Sequence, residues 1–236
     1  METIIFDVDD TLYDQLQPFR NAVHQQLNAS YSKKQVESLY LTSRKYSDNV
    51  FEKHMNGEIT ALELQTYRIT QACKDFGLNL SYQEAVAFQE AYLREQNQIS
   101  LFSEIEVLLN HLSSNHYQLA VLTNGEVDHQ MMKVDQLGIT KWIPKENIFV
   151  SAGVGHSKPS HKVFEHLEEK LKLSKDNTIY IGDSFENDIV GAKQVGWKAI
   201  WMNHRSREKP DSNYQADYII QNPNDLLPIF HVMEEA

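Results

Sequence analysis

Two aspartates, Asp7 and Asp9, stand one residue apart directly after the chain's first apolar run, Thr3–Phe6. In an extended segment side chains alternate faces, so these two share a side and Asp10 does not. Adjacent carboxylates repel, which favours a proton on one of them unless a cation intervenes. A hard divalent cation with oxygen ligands resolves the repulsion. Asp7, at the strand terminus, would then stay ionised as metal ligand and nucleophile. Asp9 could hold a proton, give it to a leaving oxygen, and later take one from water. Environment would thus divide acid–base work between two carboxylates. The competing reading is that these aspartates only cap a turn. For Asp10 that reading is preferred.

More polar residues follow the later apolar runs. Thr123-Asn124-Gly125 comes after Tyr117–Leu122, and Lys158-Pro159 lies in the loop beyond Asn147–Val150. Gly182-Asp183 follows Thr178–Ile181, with Asp188 five residues on. Open parallel sheets bind ligands at the carboxyl ends of their strands, so these residues are expected to converge. Asp183 could ligate the metal of Asp7, and Asp188 could orient its water or the lysine. Alternatively Asp188 only compensates a helix start, worth about 0.5–2 kcal/mol. Thr123 and Glu126 match a capping box. The Thr123 hydroxyl and the N–H groups of Asn124 and Gly125 would then sit at a helix start, a natural anion site. Proline biases Lys158 to an extended backbone, from which its ammonium could neutralise phosphate oxygens as a point charge.

These residues need a frame. Lys198–Met202 and Ala216–Ile220 complete a set of six apolar runs, most of them separated by amphipathic stretches of helical length. That alternation predicts a parallel sheet covered on both faces, with right-handed crossovers. One segment differs. From about Pro18 to Gln98 only helix signals occur. Pro18 suits a first helical position. Ser32 with Gln35, Thr60 with Glu63 and Ser81 with Glu84 match capping boxes. Asn56-Gly57 reads as a turn and Gly77 as a left-handed helix stop. About four helices are expected there, and Ser103 with Glu106 restarts the α/β pattern. The expected fold is an α/β core (1–15 and 99–236) with an inserted helical cap domain (16–98), because some eighty residues are too many for a crossover. Asn203–Asn213, charge-rich with Pro210, is expected to be an exposed loop.

Composition bounds the function. With 22 basic and 33 acidic residues in 236, the net charge of −11 favours neither nucleic acid nor an anionic membrane. A phosphate site would need its own local cations. The single cysteine, Cys73, excludes an internal disulfide, fits a reducing compartment and reads as core filler. No run of 18 apolar residues suggests a membrane span, and Met1-Glu2-Thr3 has no signal-peptide character, so the cytoplasm is the expected location.

Taken in order, Asp7-Val8-Asp9-Asp10-Thr11, Thr123-Asn124-Gly125, Lys158-Pro159 and Gly182-Asp183 with Asp188 resemble the motifs of the haloacid dehalogenase superfamily. The insert resembles that family's small helical cap. The resemblance implies a Rossmann-like core and an aspartyl-phosphate intermediate. It implies Mg²⁺ held by Asp7, the backbone carbonyl of Asp9, and Asp183. It makes Thr123 and Lys158 phosphate clamps. Members that cleave carbon–halogen or phosphonate bonds lack the second acid, so Asp9 favours phosphoryl transfer. Leu12-Tyr13-Asp14 and Ser184–Asp188 look most like the bacterial nucleotidase and small-phosphatase branch. The expected activity is Mg²⁺-dependent hydrolysis of a small-molecule phosphate ester, such as a nucleoside monophosphate or sugar phosphate. The expected protein is a monomer or homodimer with no nucleic-acid or membrane partner. A phosphomutase of the same superfamily and a non-catalytic binding module are the alternatives. Cap specificity would come from Tyr13, Arg44, His54 and the Asn56-Gly57 turn. The competing readings are hinge packing for Tyr13 and solvated surface for Arg44 and His54. His129, His156 and His161 show no metal-ligand spacing and read as surface, although His156 and His161 flank Lys158.

Overall fold

In a computed structural model, which describes residues 2–234, the six apolar runs form one parallel sheet in the order β3-β2-β1-β4-β5-β6. The strands are β1 (Thr3–Phe6), β2 (Gln118–Thr123), β3 (Ile148–Val150), β4 (Thr178–Gly182), β5 (Lys198–Met202) and β6 (Tyr218–Ile220). Met1 and residues 235–236, which belong to the expected core ranges, lie outside the described residues. β1 is buried throughout, as a central strand of a sheet covered on both faces must be. It pairs with both β2 and β4, and Phe6 stands level with Val121 and Ile181. Their carboxyl tips therefore lie side by side. Strand order also reverses between β1 and β4, the switch point at which such sheets open a crevice.

The chain divides into two compact units, Met1–Asp14 with Ser100–Ala236, and Gln15–Ile99. In the first, helices α5 (Ser103–Ser114), α6 (Val127–Gln136), α7 (Ser151–Val154), α8 (His161–Leu171), α9 (Gly191–Gln194) and α10 (Leu226–Glu234) accompany the strands. A π-helical turn, Phe185–Val190, runs into α9. Phe164, Tyr180, Trp197 and Trp201 anchor a core here, with Phe164 edge-on to Trp197 at 5.5 Å between ring centres. The expected cap at Ser103 does not form. Phe102 is the residue before α5, tied by its N–H to the Leu12 carbonyl, and the Ser103 hydroxyl donates to Glu104 instead.

The second unit is entirely helical: α1 (Leu16–Gln26), α2 (Lys33–Met55), α3 (Ala61–Asp75) and α4 (Tyr82–Gln96). All three capping boxes are made, each satisfying backbone N–H groups at a helix start. Gly77 adopts φ +75° just past α3, a conformation that side chains other than glycine resist. Pro18 is the third residue of α1 rather than the first. The core is aromatic: Phe19 meets Tyr40, Phe88 and Tyr92 edge-on at 5.4, 5.4 and 5.6 Å. Cys73 is buried in this core, where burial pushes its thiol up to about 12. Among the described residues no helix is long and apolar enough to cross a membrane.

Candidate active site

The tip of β1 is built around a buried lysine. The Asp7 N–H continues the ladder by donating to the Ile181 carbonyl at 2.9 Å, which fixes where its carboxylate begins. Lys158 Nζ donates to Asp7 Oδ1 and Asp188 Oδ1, each at 2.7 Å, and to the Tyr180 hydroxyl at 2.9 Å. Tyr180 in turn donates to the Leu122 carbonyl, tying the lysine to β2 and β4. Asp188 takes the Ser184 N–H on its other oxygen. Its approach requires Gly182, because a Cβ there would collide with the Asp188 carboxylate. All three charged groups are at most 5 % exposed, so none is a solvated surface charge.

Burial drives the Asp7 carboxyl up to about 8, despite the opposing Lys158 ammonium, and Asp188 and Asp183 add to the push. Although burial opposes it, the Asp188 and Asp7 charges hold Lys158 well above its ordinary range, so the ammonium stays protonated. Asp7, Asp183 and Asp188 each offer a carboxylate oxygen, all within 4.8 Å of one another. An all-oxygen, anionic donor set of this kind suits a hard cation such as Mg²⁺, whose charge would offset both the burial and the carboxylate repulsion that push Asp7 up. The residues fit such an ion. Asp183 Oδ2 also takes a hydrogen bond from Arg207 Nη1 at 2.7 Å, and the Trp201 indole holds its carbonyl.

Asp9 is not in that cluster. The chain turns after Val8, whose carbonyl accepts the N–H groups of Thr11 and Leu12, and Asp9 stands at the start of that turn. Lys133 Nζ lies 2.7 Å from both Asp9 oxygens, the Tyr13 hydroxyl donates to Oδ1 at 2.6 Å, and Gln130 donates to Oδ2 at 3.1 Å. Nor is Asp10 a simple turn cap. It has φ 60°, is 1 % exposed, and takes a forked pair of bonds from Arg205, with Arg207 Nη2 at 3.2 Å. Burial pushes its carboxyl up, but the His204 and Arg205 bonds prevail and hold it well below the usual range. The expected exposed loop Asn203–Asn213 is thus corrected in its first part, where buried carboxylates draw the arginines inward.

The Thr123-Asn124-Gly125 segment also departs from expectation. α6 starts at Val127 with no side-chain cap, so the Thr123–Glu126 box is not made. Thr123 ends β2, and its buried hydroxyl has no hydrogen-bond partner among the described residues. The Gly125 N–H is consumed by the Ser151 hydroxyl at 3.0 Å, which removes it as an anion donor. Asn124 clamps Lys158 through two backbone bonds, Nδ2 to the Lys158 carbonyl and Lys158 N–H to Oδ1. Its side chain therefore positions the lysine. The Lys158–Pro159 bond is cis.

Tyr13, in the α/β unit, donates its hydroxyl to Asp9. In the helical unit, the His54 ring bonds the Ile59 carbonyl beside the Asn56-Gly57 turn, and Arg44 is half-buried. His156 and His161 are exposed and His129 half-buried. Sequence reasoning missed Gln130, Lys133, Tyr180, Arg205 and Arg207. The one available signal was Gln130 and Lys133 at i, i+3, polar residues on one face of α6.

The model of the family "Haloacid dehalogenase-like hydrolase" matches residues 4–202. The pyrimidine 5'-nucleotidase YjjG of Escherichia coli is 24% identical over 88% of both chains. A glyceraldehyde 3-phosphate phosphatase of Methanothermobacter thermautotrophicus is 25% identical over 97% of this chain and 95% of its own. Among solved structures, the HAD-hydrolase YfnB of Bacillus subtilis bound to magnesium superposes with a TM-score of 0.71 at 24% identity, covering 97% of both chains. The L-2-haloacid dehalogenase of Xanthobacter autotrophicus gives 0.74 at 15% identity over 99% of both, a likeness of fold alone. With its motifs at the tips of a parallel sheet and a family match over most of its length, the chain belongs to the haloacid dehalogenase-like hydrolases.

Proposed function

We propose that this hydrolase cleaves phosphate monoesters of small metabolites through a phosphoryl group carried on Asp7. The observation that carries the reading is the buried ammonium of Lys158 between Asp7 and Asp188, at the switch point, beside the unpartnered hydroxyl of Thr123. Phosphoryl transfer needs positioning and charge neutralisation more than covalent finesse. Lys158 supplies a fixed positive charge for the equatorial oxygens, and Thr123 supplies a donor. Asp7 attacks phosphorus as the ester P–O bond breaks. Asp9 gives a proton to the leaving alkoxide, and later takes one from the water that hydrolyses the acyl phosphate. Asp188 and Asn124 keep Lys158 in place. Mg²⁺, held by Asp7, Asp183 and the Asp9 carbonyl, would neutralise charge on the transferring group. Support also comes from the relatives, whose names specify a nucleotidase and a sugar-phosphate phosphatase. Asp9 favours ester hydrolysis over dehalogenation, which needs no acid for a halide leaving group.

The test is phosphate release with Mg²⁺ over nucleoside monophosphates, sugar phosphates and flavin mononucleotide. Turnover of at least one monoester, lost on chelation, is expected. Isomerised sugar phosphates without free phosphate would transfer the reading to a phosphomutase. No turnover of any ester by folded protein would leave a binding module.

A further inference from the structure

We propose that Lys133, seconded by Gln130, is the positioning residue that fixes Asp9 as the base for the second half-reaction, hydrolysis of the phosphorylated Asp7. The inference rests on the phosphatase reading above. Lys133 is 2 % exposed, and a lysine so deeply buried needs an anionic partner. Asp9 provides it, with Nζ equidistant from both oxygens at 2.7 Å. Gln130 lies one helical turn earlier, is 3 % exposed, and donates from one amide nitrogen to both Asp9 Oδ2 and the Asn124 carbonyl. A Cβ on Gly125 would stand 2.8 Å from that nitrogen, so the glycine is what admits Gln130 to the site. Asp9 is thus aimed from α6, while Asp7 is aimed by Lys158. The two acids one residue apart have independent anchors.

Lys133 and Gln130 thus fix the orientation of the Asp9 carboxylate. In the second half-reaction, water oxygen bonds to phosphorus, the Asp7 acyl-phosphate bond breaks, and the water proton passes to Asp9. With p-nitrophenyl phosphate the first half-reaction needs no acid, because the phenolate leaves unaided. Loss of the Asp9 anchor should then slow only the second.

The experiment is stopped-flow hydrolysis of p-nitrophenyl phosphate with Mg²⁺ by wild type, Lys133→Met, Lys133→Arg and Asp9→Asn. For Lys133→Met we expect a burst of about one p-nitrophenol per site, then kcat reduced about a hundredfold with kcat/KM within about threefold. Lys133→Arg should recover most of kcat. A merely structural role would lower kcat and kcat/KM together without a burst, and that result, or an unchanged kcat, overturns the proposal. If Lys133→Met does not fold, Gln130→Met should show the same split at smaller size, and its absence counts against the proposal equally. Asp9→Asn separates the premises: normal turnover there sinks the base role and this inference with it. A wild type that releases no p-nitrophenol defeats the phosphatase reading itself.

Discussion

Each of the two units of this chain is held together internally by its own physics. In the helical unit three of the four helices start on neighbours three residues away, as in Ser32 with Gln35, and the core is aromatic contact around Phe19. In the α/β unit, buried charges meet across the sequence: Lys158 reaches Asp7 over 151 positions, Lys133 reaches Asp9 over 124, and Arg205 reaches Asp10 over 195. Apolar burial stabilises without asking for chemistry. Buried ion pairs contribute little net stability over apolar replacements, because desolvation offsets their attraction, yet breaking one is costly. Their presence at adjacent strand tips therefore reads as function. Substitutions of these buried charges in the α/β unit should cost activity, with or without stability, and capping substitutions in the helical unit should change stability alone.

The largest uncoupling is expected at Asp7. Asp7→Asn keeps the shape and leaves Lys158 paired with Asp188, so the melting temperature should stay within a few degrees of wild type. Turnover should fall at least about a thousandfold, because the nucleophile is gone. Steady-state assays beside thermal melts decide the matter. Activity above a few percent of wild type would be incompatible with covalent catalysis by this residue.

Lys158→Met comes next, because here stability and activity should fall together. The substitution leaves Asp7 and Asp188 facing each other, buried, without their cation. A loss of about 3–5 kcal/mol is expected in urea unfolding, along with turnover. A variant as stable as wild type would mean that the pair is not buried as described.

A smaller effect tests the cation. Asp7, raised to about 8, binds a proton in the folded chain between roughly pH 4 and pH 8 that the unfolded chain has already released. Before any cation binds, this group's contribution to stability therefore declines as pH rises through that window. A cation on Asp7 must displace that proton, so stabilisation by Mg²⁺ should grow from pH 6 to pH 8 and then level off. Melting curves at fixed Mg²⁺ across this range provide the check. A flat response would remove Asp7 from the ligand set.

The same division explains what could be read from sequence. Strand runs, capping boxes and the left-handed Gly77 are local, set by spacings of two to four residues, and five of the six strands lie within one residue of their apolar runs, while β6 begins two residues late. Asp7 and Asp183 were legible because each directly follows a strand, and Asp188 and Lys158 because each lies in the segment that leaves one, Asp188 in the turn after β4 and Lys158 beyond α7 after β3. Gln130 and Lys133 lie inside a helix, and Arg205 and Arg207 inside a charged loop, where such residues ordinarily face water. Their inward turn is set by carboxylates far along the chain, Asp9 for Gln130 and Lys133, Asp10 for Arg205, and Asp10 and Asp183 for Arg207, and beyond the i, i+3 spacing on α6 no local pattern marks it. The Thr123–Glu126 box shows the converse. The motif was present, but the β2 tip took Thr123 and left the helix to begin uncapped.

The smallest predicted effect probes the helical unit on its own terms. The Ser32 hydroxyl accepts the Gln35 N–H at 3.3 Å, and the Ser32 N–H donates to the Gln35 side chain at 2.9 Å. Ser32→Ala removes the first bond and leaves an orphan donor at an exposed helix start, which costs about 1 kcal/mol. For a chain of this size that is a fall of about 2–4 °C in melting temperature. No titratable side chain takes part, so the loss should be the same at pH 6 and pH 8, unlike the Mg²⁺ effect at Asp7. Turnover of the best monoester should be unchanged below the melting transition. If Ser32→Ala lowers kcat while the chain remains folded, local capping in the helical unit is coupled to the chemistry, and the separation drawn between the two units fails at its simplest point.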